Sequence, residues 1–377
     1  MIQRQIEPRL REQLFKGKAL IVMGARQVGK TTLLKQVLAG CEEGVLWLSG
    51  DDQDVRTLFE TISAPRLRAI AGKNRLIVLD EAQRIRDIGI KLKLITDQMP
   101  DFQLLATGSS SFELANKINE PLTGRKREHR LFPLSFAEMV GHTSLLEEKR
   151  MLGHRLVYGA YPEVVMHPGD EIGLLRELTD SYLYKDILEF DKIHKPERLT
   201  KLLQALAYQL GSEVSYNELA QLCGMDAKTV ESYITLLEQS YVLFRLGSFS
   251  RNLRNELKSS KKIYFYDNGV RNAVIGNFAQ VENRMDAGAL FENYVVSECM
   301  KRKEYTGDYA HSWFWRTTAK QEIDYLEEKD GLLHAFELKW NPRRRATAPL
   351  SFRNAYPDAD FTVIHRDNIE DLLLFRE

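Results

Sequence analysis

Over residues 1–145, short apolar runs alternate with stretches whose apolar residues recur at helical spacing. The runs are Ala19–Met23, Val45–Leu48, Leu76–Leu79 and Gln103–Ala106. None alternates apolar with polar positions, which marks strands buried on both faces, as in a parallel sheet covered by helices. Thr31–Leu38 and Ile88–Gln98 lie between runs and carry the helical period. This alternation predicts an α/β fold whose first domain, 1–145, is a parallel sheet with flanking helices.

From Ser144 to Phe190 the pattern turns helical, with Tyr182, Leu183, Ile187 and Leu188 at helix-like spacing, until Lys195-Pro196 interrupts it. Residues 146–195 are therefore expected to form a helical lid or linker. In the next segment, 196–255, Leu199–Leu210 and Tyr216–Cys223 read as helices, Gly224 as a turn, and Asp226 as the cap of a third helix, Ala227–Gln239. Tyr241–Leu246 and Ile263–Tyr266 then read as strands, an order that fits a winged helix. The last segment, 256–377, is expected to hold helix Ala289–Met300 followed by several strands.

Composition removes several function classes. With 44% hydrophobic and 28% charged residues among 377, the chain is not a disordered tail, a collagenous repeat or a mucin-like stalk. Fifty-three basic residues balance 53 acidic ones, so no global field draws it to DNA or an anionic membrane, and any nucleic-acid role must rest on local patches. Cys41, Cys223 and Cys299 form no CxxC pair, and the eight histidines show no HExxH spacing. The opening MIQRQIEPRL has no apolar signal core, and no apolar run nears the ~20 residues of a membrane span. The expectation is a cytoplasmic protein without a membrane partner.

Gly24-Ala25-Arg26-Gln27-Val28-Gly29-Lys30-Thr31 fits G-x-x-x-x-G-K-[ST], with an apolar strand before it and a helix after it. Glycines let main-chain N–H groups turn inward around phosphate oxygens, and the helix N-terminus adds its positive dipole end. Lys30 is expected to reach the β- and γ-phosphates and Thr31 to hold Mg²⁺, with Thr32 closing the nucleotide-binding stretch. The second half of such a site is Arg75-Leu-Ile-Val-Leu-Asp80-Glu81, where Asp80 is placed for Mg²⁺ and Glu81 for orienting or deprotonating the attacking water. The run from Gln103 ends in Thr107-Gly108-Ser109-Ser110, where Ser109 can sense the γ-phosphate or simply cap a helix over Phe112–Ile118. Gly124–Arg130 carries four basic residues against one acid, so Arg125 or Arg127 is a candidate arginine finger, a solvated basic loop being the plainer reading.

GARQVGKTTLL, LIVLDEAQ, LLATGSSS and LTGRKREHRLFPLSFAEM together resemble the P-loop ATPase domain of AAA-type proteins that carry a C-terminal DUF4143 domain. SRNLRNELKSSKKIYFYDNGV and GALFENYVVSE resemble that C-terminal domain, so the likeness spans nearly the whole chain. Alanine at position 25, where the family commonly has proline, leaves the loop's phosphate chemistry intact. The resemblance implies ATP as the nucleotide and an AAA-like sheet with the sensing strand between the two nucleotide-site strands. It also implies a C-terminal region of restriction-endonuclease type.

Asp324, a hairpin turn, then Glu337-Leu338-Lys339 fits the PD-(D/E)XK nuclease signature. On a strand Glu337 and Lys339 share a face, and Asp324 on a neighbouring strand can meet them. With Glu292 upstream, the carboxylates are candidate Mg²⁺ ligands and Lys339 a candidate for positioning water. The same residues fit an ordinary cross-strand ion pair worth ~0.2–1 kcal/mol. The third helix of the winged-helix segment is acidic, with Asp226, Glu231 and Glu238 against Lys228. Arg245, Arg251, Arg254, Lys258, Lys261 and Lys262, then Arg343-Arg344-Arg345, are the patches that could meet phosphate.

Two functions follow as expectations. One is a Mg²⁺-dependent ATPase coupled to a nuclease-like C-terminal half acting on DNA or another nucleic acid. The other is an ATP-dependent switch whose C-terminal half binds a protein or DNA partner without cleaving it. A homo-oligomer is compatible with both.

Overall fold

The computed structural model describes residues 2–109, 122–180, 196–251 and 260–375. The helix expected over Phe112–Ile118, Ser110, the Tyr182–Leu188 pattern, Arg254 and Lys258 lie outside the described residues. The chain divides into two compact units, Gln3–Phe132 with Gln239–Tyr241, and Pro133–Glu238 with Val242–Glu377.

The first unit is a five-stranded parallel sheet in the order β2-β3-β4-β1-β5. Its strands are β1 (Ala19–Met23), β2 (Val45–Ser49), β3 (Leu76–Asp80), β4 (Gln103–Gly108) and β5 (Lys126–Arg130). Helices α1 (Glu7–Gln13), α2 (Lys30–Leu38), α3 (Gln53–Glu60), α4 (Ala64–Ala71) and α5 (Ile88–Gln98) accompany it. Every side chain of β1, β3 and β4 is buried, as the unbroken apolar runs require of central strands. β4 separates β1 from β3, so the strand that leads into Ser109 stands between the strands that end in the phosphate loop and in Asp80. The basic segment before Leu131 is the edge strand β5 rather than a loop; of its five side chains only His129 is buried, so it offered no apolar run to read.

In the second unit, Ser135 caps helix Phe136–His142 through a reciprocal box with Glu138. Helices Leu145–Tyr158, Pro162–Met166 and Glu171–Leu178 follow. Pro196–Tyr208, Tyr216–Cys223 and Ala227–Gln239 come next, and Asp226 accepts from the Thr229 amide at 2.9 Å at the start of the third. β6 (Leu243–Gly247) then pairs antiparallel with β7 (Lys261–Phe265). Helix Ala287–Thr306 packs on a four-stranded sheet ordered β11-β10-β9-β8. Its strands are β8 (His311–Arg316), β9 (Glu322–Lys329), β10 (Leu332–Lys339) and β11 (Asp360–His365). Asp330 and Gly331 both take positive φ, the Asp-Gly turn that joins β9 to β10 as a tight hairpin. Trp315 is buried edge-to-face against Phe352, so the Trp-Phe-Trp segment is a packed strand. Glu298 accepts from the Phe136 amide at 2.7 Å and Lys301 donates to the Leu134 carbonyl at 3.2 Å, which fixes the Phe-Pro-Leu-Ser-Phe segment to helix Ala287–Thr306.

Candidate functional site

The phosphate loop leaves the end of β1 and returns as α2, with Gln27 and Gly29 both at positive φ. Gly24 lies so close to the main chain of β5's exit that a Cβ there would sit 2.1 Å from the Leu131 carbonyl oxygen. A side chain at that position would push the loop away. Lys30 is buried, and its Nζ donates to the Gly24 and Ala25 carbonyls at 3.0 and 2.9 Å. The Thr31 hydroxyl donates to Asp80 Oδ2 at 2.8 Å, and the Thr107 hydroxyl to Asp80 Oδ1 at 2.5 Å. The ends of β1, β3 and β4 thus bring the loop, the acid and the sensing strand together. Within the loop Ala25 and Val28 are buried and Arg26 is half-buried, while Thr32, just after it, is exposed.

Glu81 follows Asp80 in the left-handed region, at φ 49°, with its amide donating to the Thr107 hydroxyl at 2.9 Å. Its carbonyl approaches Gly50 so closely that a Cβ there would lie 2.4 Å away. Gln83 Nε2 donates to Glu81 Oε2 at 2.6 Å and to Ser109 Oγ at 2.9 Å, joining the acid to the sensing hydroxyl. Gln83 lies inside the LIVLDEAQ motif, which assigns it no role. Arg4 is buried and donates to the Val28 carbonyl at 2.7 Å and the Phe132 carbonyl at 2.6 Å. Arg4 lies in a polar N-terminal stretch with no motif, so no local signal pointed to it.

Arg125 and Arg127 are not brought to this site. β5 runs parallel to β1, with Lys126 opposite Ala19, Arg127 opposite Leu20 and Arg130 opposite Met23. Both arginines therefore belong to the end of the sheet remote from the loop. Arg125 is paired there with Asp97 at 2.5 Å. Arg130 is the basic residue whose register matches the loop end.

In the second unit Glu292, Asp324 and Lys339 line one cavity of about 350 Å³ with Trp340, Asn341 and Arg344. Lys339 Nζ is 2.5 Å from Glu337 and 3.5 Å from Asp324, and Asp324 Oδ2 also accepts from the Leu338 amide at 2.8 Å. Burial disfavours the Lys339 ammonium, yet Asp324 and Glu337 more than offset it and push its pKa up. Burial, reinforced by Asp324, pushes the Glu337 carboxyl up. Burial also lifts Glu292 to about 7; Lys262 opposes the shift and Asp324 adds to it. Among the described residues no group of three or more His, Cys, Asp or Glu side chains gathers as ligands for one metal ion. Glu292, Asp324 and Glu337 share a neighbourhood in which lysines stand between them.

Two residues of the expected basic patch are bound up internally. Lys262 is 1% exposed and pairs with Glu292 and Glu322. Arg245 makes a double contact with Glu238 and donates to the Tyr216 and Thr235 hydroxyls. The strand expected over Ile263–Tyr266 begins one residue after Lys262, which the structure places within β7; its acidic partners lie 30 and 60 residues on and leave no local signal.

Family models describe three parts of the chain: an AAA domain over residues 16–140, a domain of unknown function, DUF8612, over 149–281, and DUF4143 over 287–371. An uncharacterized protein of Mycobacterium tuberculosis is 26% identical over 341 residues, covering 89% of this chain and 73% of its own. One from Methanocaldococcus jannaschii is 22% identical over 357 residues, with 88% and 78% coverage. The solved structure of the Thermotoga maritima RuvB Holliday junction branch migration motor matches at 16% identity and a TM-score of 0.32. It covers 65% of this chain and 90% of that one, an overlap too loose to carry an inference. The AAA and DUF4143 matches bear out the resemblance to AAA-type P-loop ATPases that carry a C-terminal DUF4143 domain. Among the described residues no helix is long and apolar enough to cross a membrane.

Proposed function

We propose that the first unit binds ATP with Mg²⁺ and hydrolyses it. The observation that carries this reading is the Thr31–Asp80 contact at 2.8 Å beneath the phosphate loop. A hydroxyl and a carboxylate side by side at a helix N-terminus are the hard oxygen donors Mg²⁺ takes. When bound, the ion supplies charge neutralisation between the β- and γ-phosphates. The chain's own residues do the rest. The loop amides grip the phosphates, Lys30 exchanges main-chain carbonyls for phosphate oxygens, and Glu81 accepts the proton of the attacking water. Gln83 holds Glu81 against Ser109, so proton acceptance is linked to the strand that senses the γ-phosphate. Calorimetry with ATP and Mg²⁺ tests the first step and single-turnover hydrolysis the second; absence of heat with wild-type protein ends the proposal.

For the second unit the nuclease reading draws support from the common cavity of Glu292, Asp324 and Lys339. The reading we favour is the ATP-dependent switch whose C-terminal half binds a partner without cleavage. What favours it is that the same carboxylates already have ammonium partners. Incubating plasmid and single-stranded DNA with Mg²⁺ or Mn²⁺, with and without ATP, separates the two: cut DNA supports the nuclease, and intact DNA the switch.

A further inference from the structure

Lys262 has surroundings unlike those of a surface lysine. It sits on β7 opposite Leu246, and Glu213 bridges to its main chain, so its backbone is fixed on both sides. Its Nζ lies 3.0 Å from Glu292 Oε1 and pairs with Glu322, while the Phe314 ring covers it at 5.3 Å. The same Glu292 oxygen accepts from the Tyr264 hydroxyl at 2.7 Å. Gly211, at φ 70°, presses on the far side, where a Cβ would come within 3.2 Å of the Glu292 carboxylate. Glu322 is shared with Arg316 at 3.4 Å, and Asp324, two residues along β9, contributes to the field that holds Lys262 charged.

Two carboxylates from different elements, one buried positive centre and an aromatic ring over it are what the start of a carboxylate metal site consists of, with an ammonium in place of the ion. A buried ammonium persists only where carboxylates compensate it, and carboxylates gathered in a buried place need a cation or a shared proton. We infer that Lys262 is a tethered cation that takes the place of a divalent metal between Glu292 and Glu322, so that this pair holds no metal while the lysine is present. The inference rests on the non-cleaving reading of the second unit.

The test uses the full chain without nucleotide and MnCl₂ as the probe, read by electron paramagnetic resonance. Wild type and E292Q are expected to bind the same amount of Mn²⁺. K262M is expected to gain one site, at least ~10-fold tighter than any in wild type, as charge-compensated oxygen sites allow. K262M/E292Q should lose that site again. In parallel, the melting temperature of K262M should rise with Mn²⁺ while that of wild type does not. If K262M does not fold, Lys262→Gln, whose amide still donates to Glu292, replaces it. A wild-type site that disappears in E292Q overturns the inference, as does a folded, lysine-free variant that gains no Mn²⁺. ATP binding, measured alongside, should be unchanged in K262M; its absence from wild type would speak against the ATPase proposal and leave the Mn²⁺ result standing.

Discussion

The two charged centres of this chain use the same side chains differently. At the phosphate loop neutral groups position the charges: Asp80 is held by the hydroxyls of Thr31 and Thr107, and Lys30 donates to two main-chain carbonyls. In the second unit charges position charges, with Lys262 on Glu292 and Glu322 and Lys339 on Glu337 and Asp324. A carboxylate oriented by hydroxyls keeps its charge for an incoming ion, whereas one oriented by an ammonium has much of that charge cancelled. A Lys-plus-acid motif therefore does not by itself say whether the site offers charge or consumes it. The neighbouring polar groups decide.

The largest effect expected from this difference separates two lysines. Lys30→Ala should abolish measurable ATP binding, because two lost charge-assisted contacts to phosphate amount to ~100-fold or more in affinity. Lys339→Ala should leave that affinity unchanged in the same calorimeter. Equal losses from both substitutions would erase the distinction. Next in size is Glu81→Gln. It should bind ATP normally and slow single-turnover hydrolysis by ~10²–10⁴, the range for a removed general base. Retention of wild-type turnover would move the base elsewhere, with the nearby Asp80 as the next residue to replace.

How far the sequence foretold these sites follows from how local their physics is. β1, β3 and β4 were legible because full burial leaves unbroken apolar runs, and the phosphate loop because its glycines and Lys30-Thr31 are contiguous. β5 was not, since an edge strand with one buried side chain, His129, reads as a basic loop. Gln83 lay inside a quoted motif, but its link to Ser109 crosses 26 residues and two strands. Lys262 was read for its charge alone, and the acids that cancel it come from the helix Ala287–Thr306 and from β9. Non-local ion pairs leave no periodicity to detect.

His129 sharpens the contrast from the stability side. It is buried on β5 with Nε2 2.7 Å from Gln13 of α1, and burial, with Arg9 and Arg127 adding to it, depresses its pKa to about 4. The folded chain thus holds the ring neutral while the unfolded chain protonates it near 6.5. Stability from this group is complete above pH 6.5 and is lost as pH falls toward 4, on the order of 3 kcal/mol across that window. Urea midpoints measured from pH 7 to 4 should fall more steeply for wild type than for His129→Gln. Parallel curves would mean that the ring is not held neutral.

The smallest expected effect concerns Arg127 of β5 and Arg125 just before that strand. Strand rise is about 3.3 Å per residue, which sets Arg127 roughly 10 Å and Arg125 roughly 16 Å along β5 from the end where the loop begins. Side chains leave a sheet sideways rather than along it. Neither can then reach the γ-phosphate held by its own chain, and the Arg125–Asp97 pair is a surface contact worth ~0–1 kcal/mol. Arg125→Ala and Arg127→Ala should each leave turnover per chain within about two-fold of wild type in dilute protein, since surface substitutions of this kind cost little. A finger supplied by a neighbouring subunit has a different signature: a loss of up to ~10³ that emerges only as protein concentration rises and chains associate. A large loss that persists at every dilution would mean that β5 leaves its register with β1 when nucleotide binds. The contrast between a phosphate site fixed by neutral groups and a cluster fixed by its own charges would then need Arg125 or Arg127 as a mobile third component.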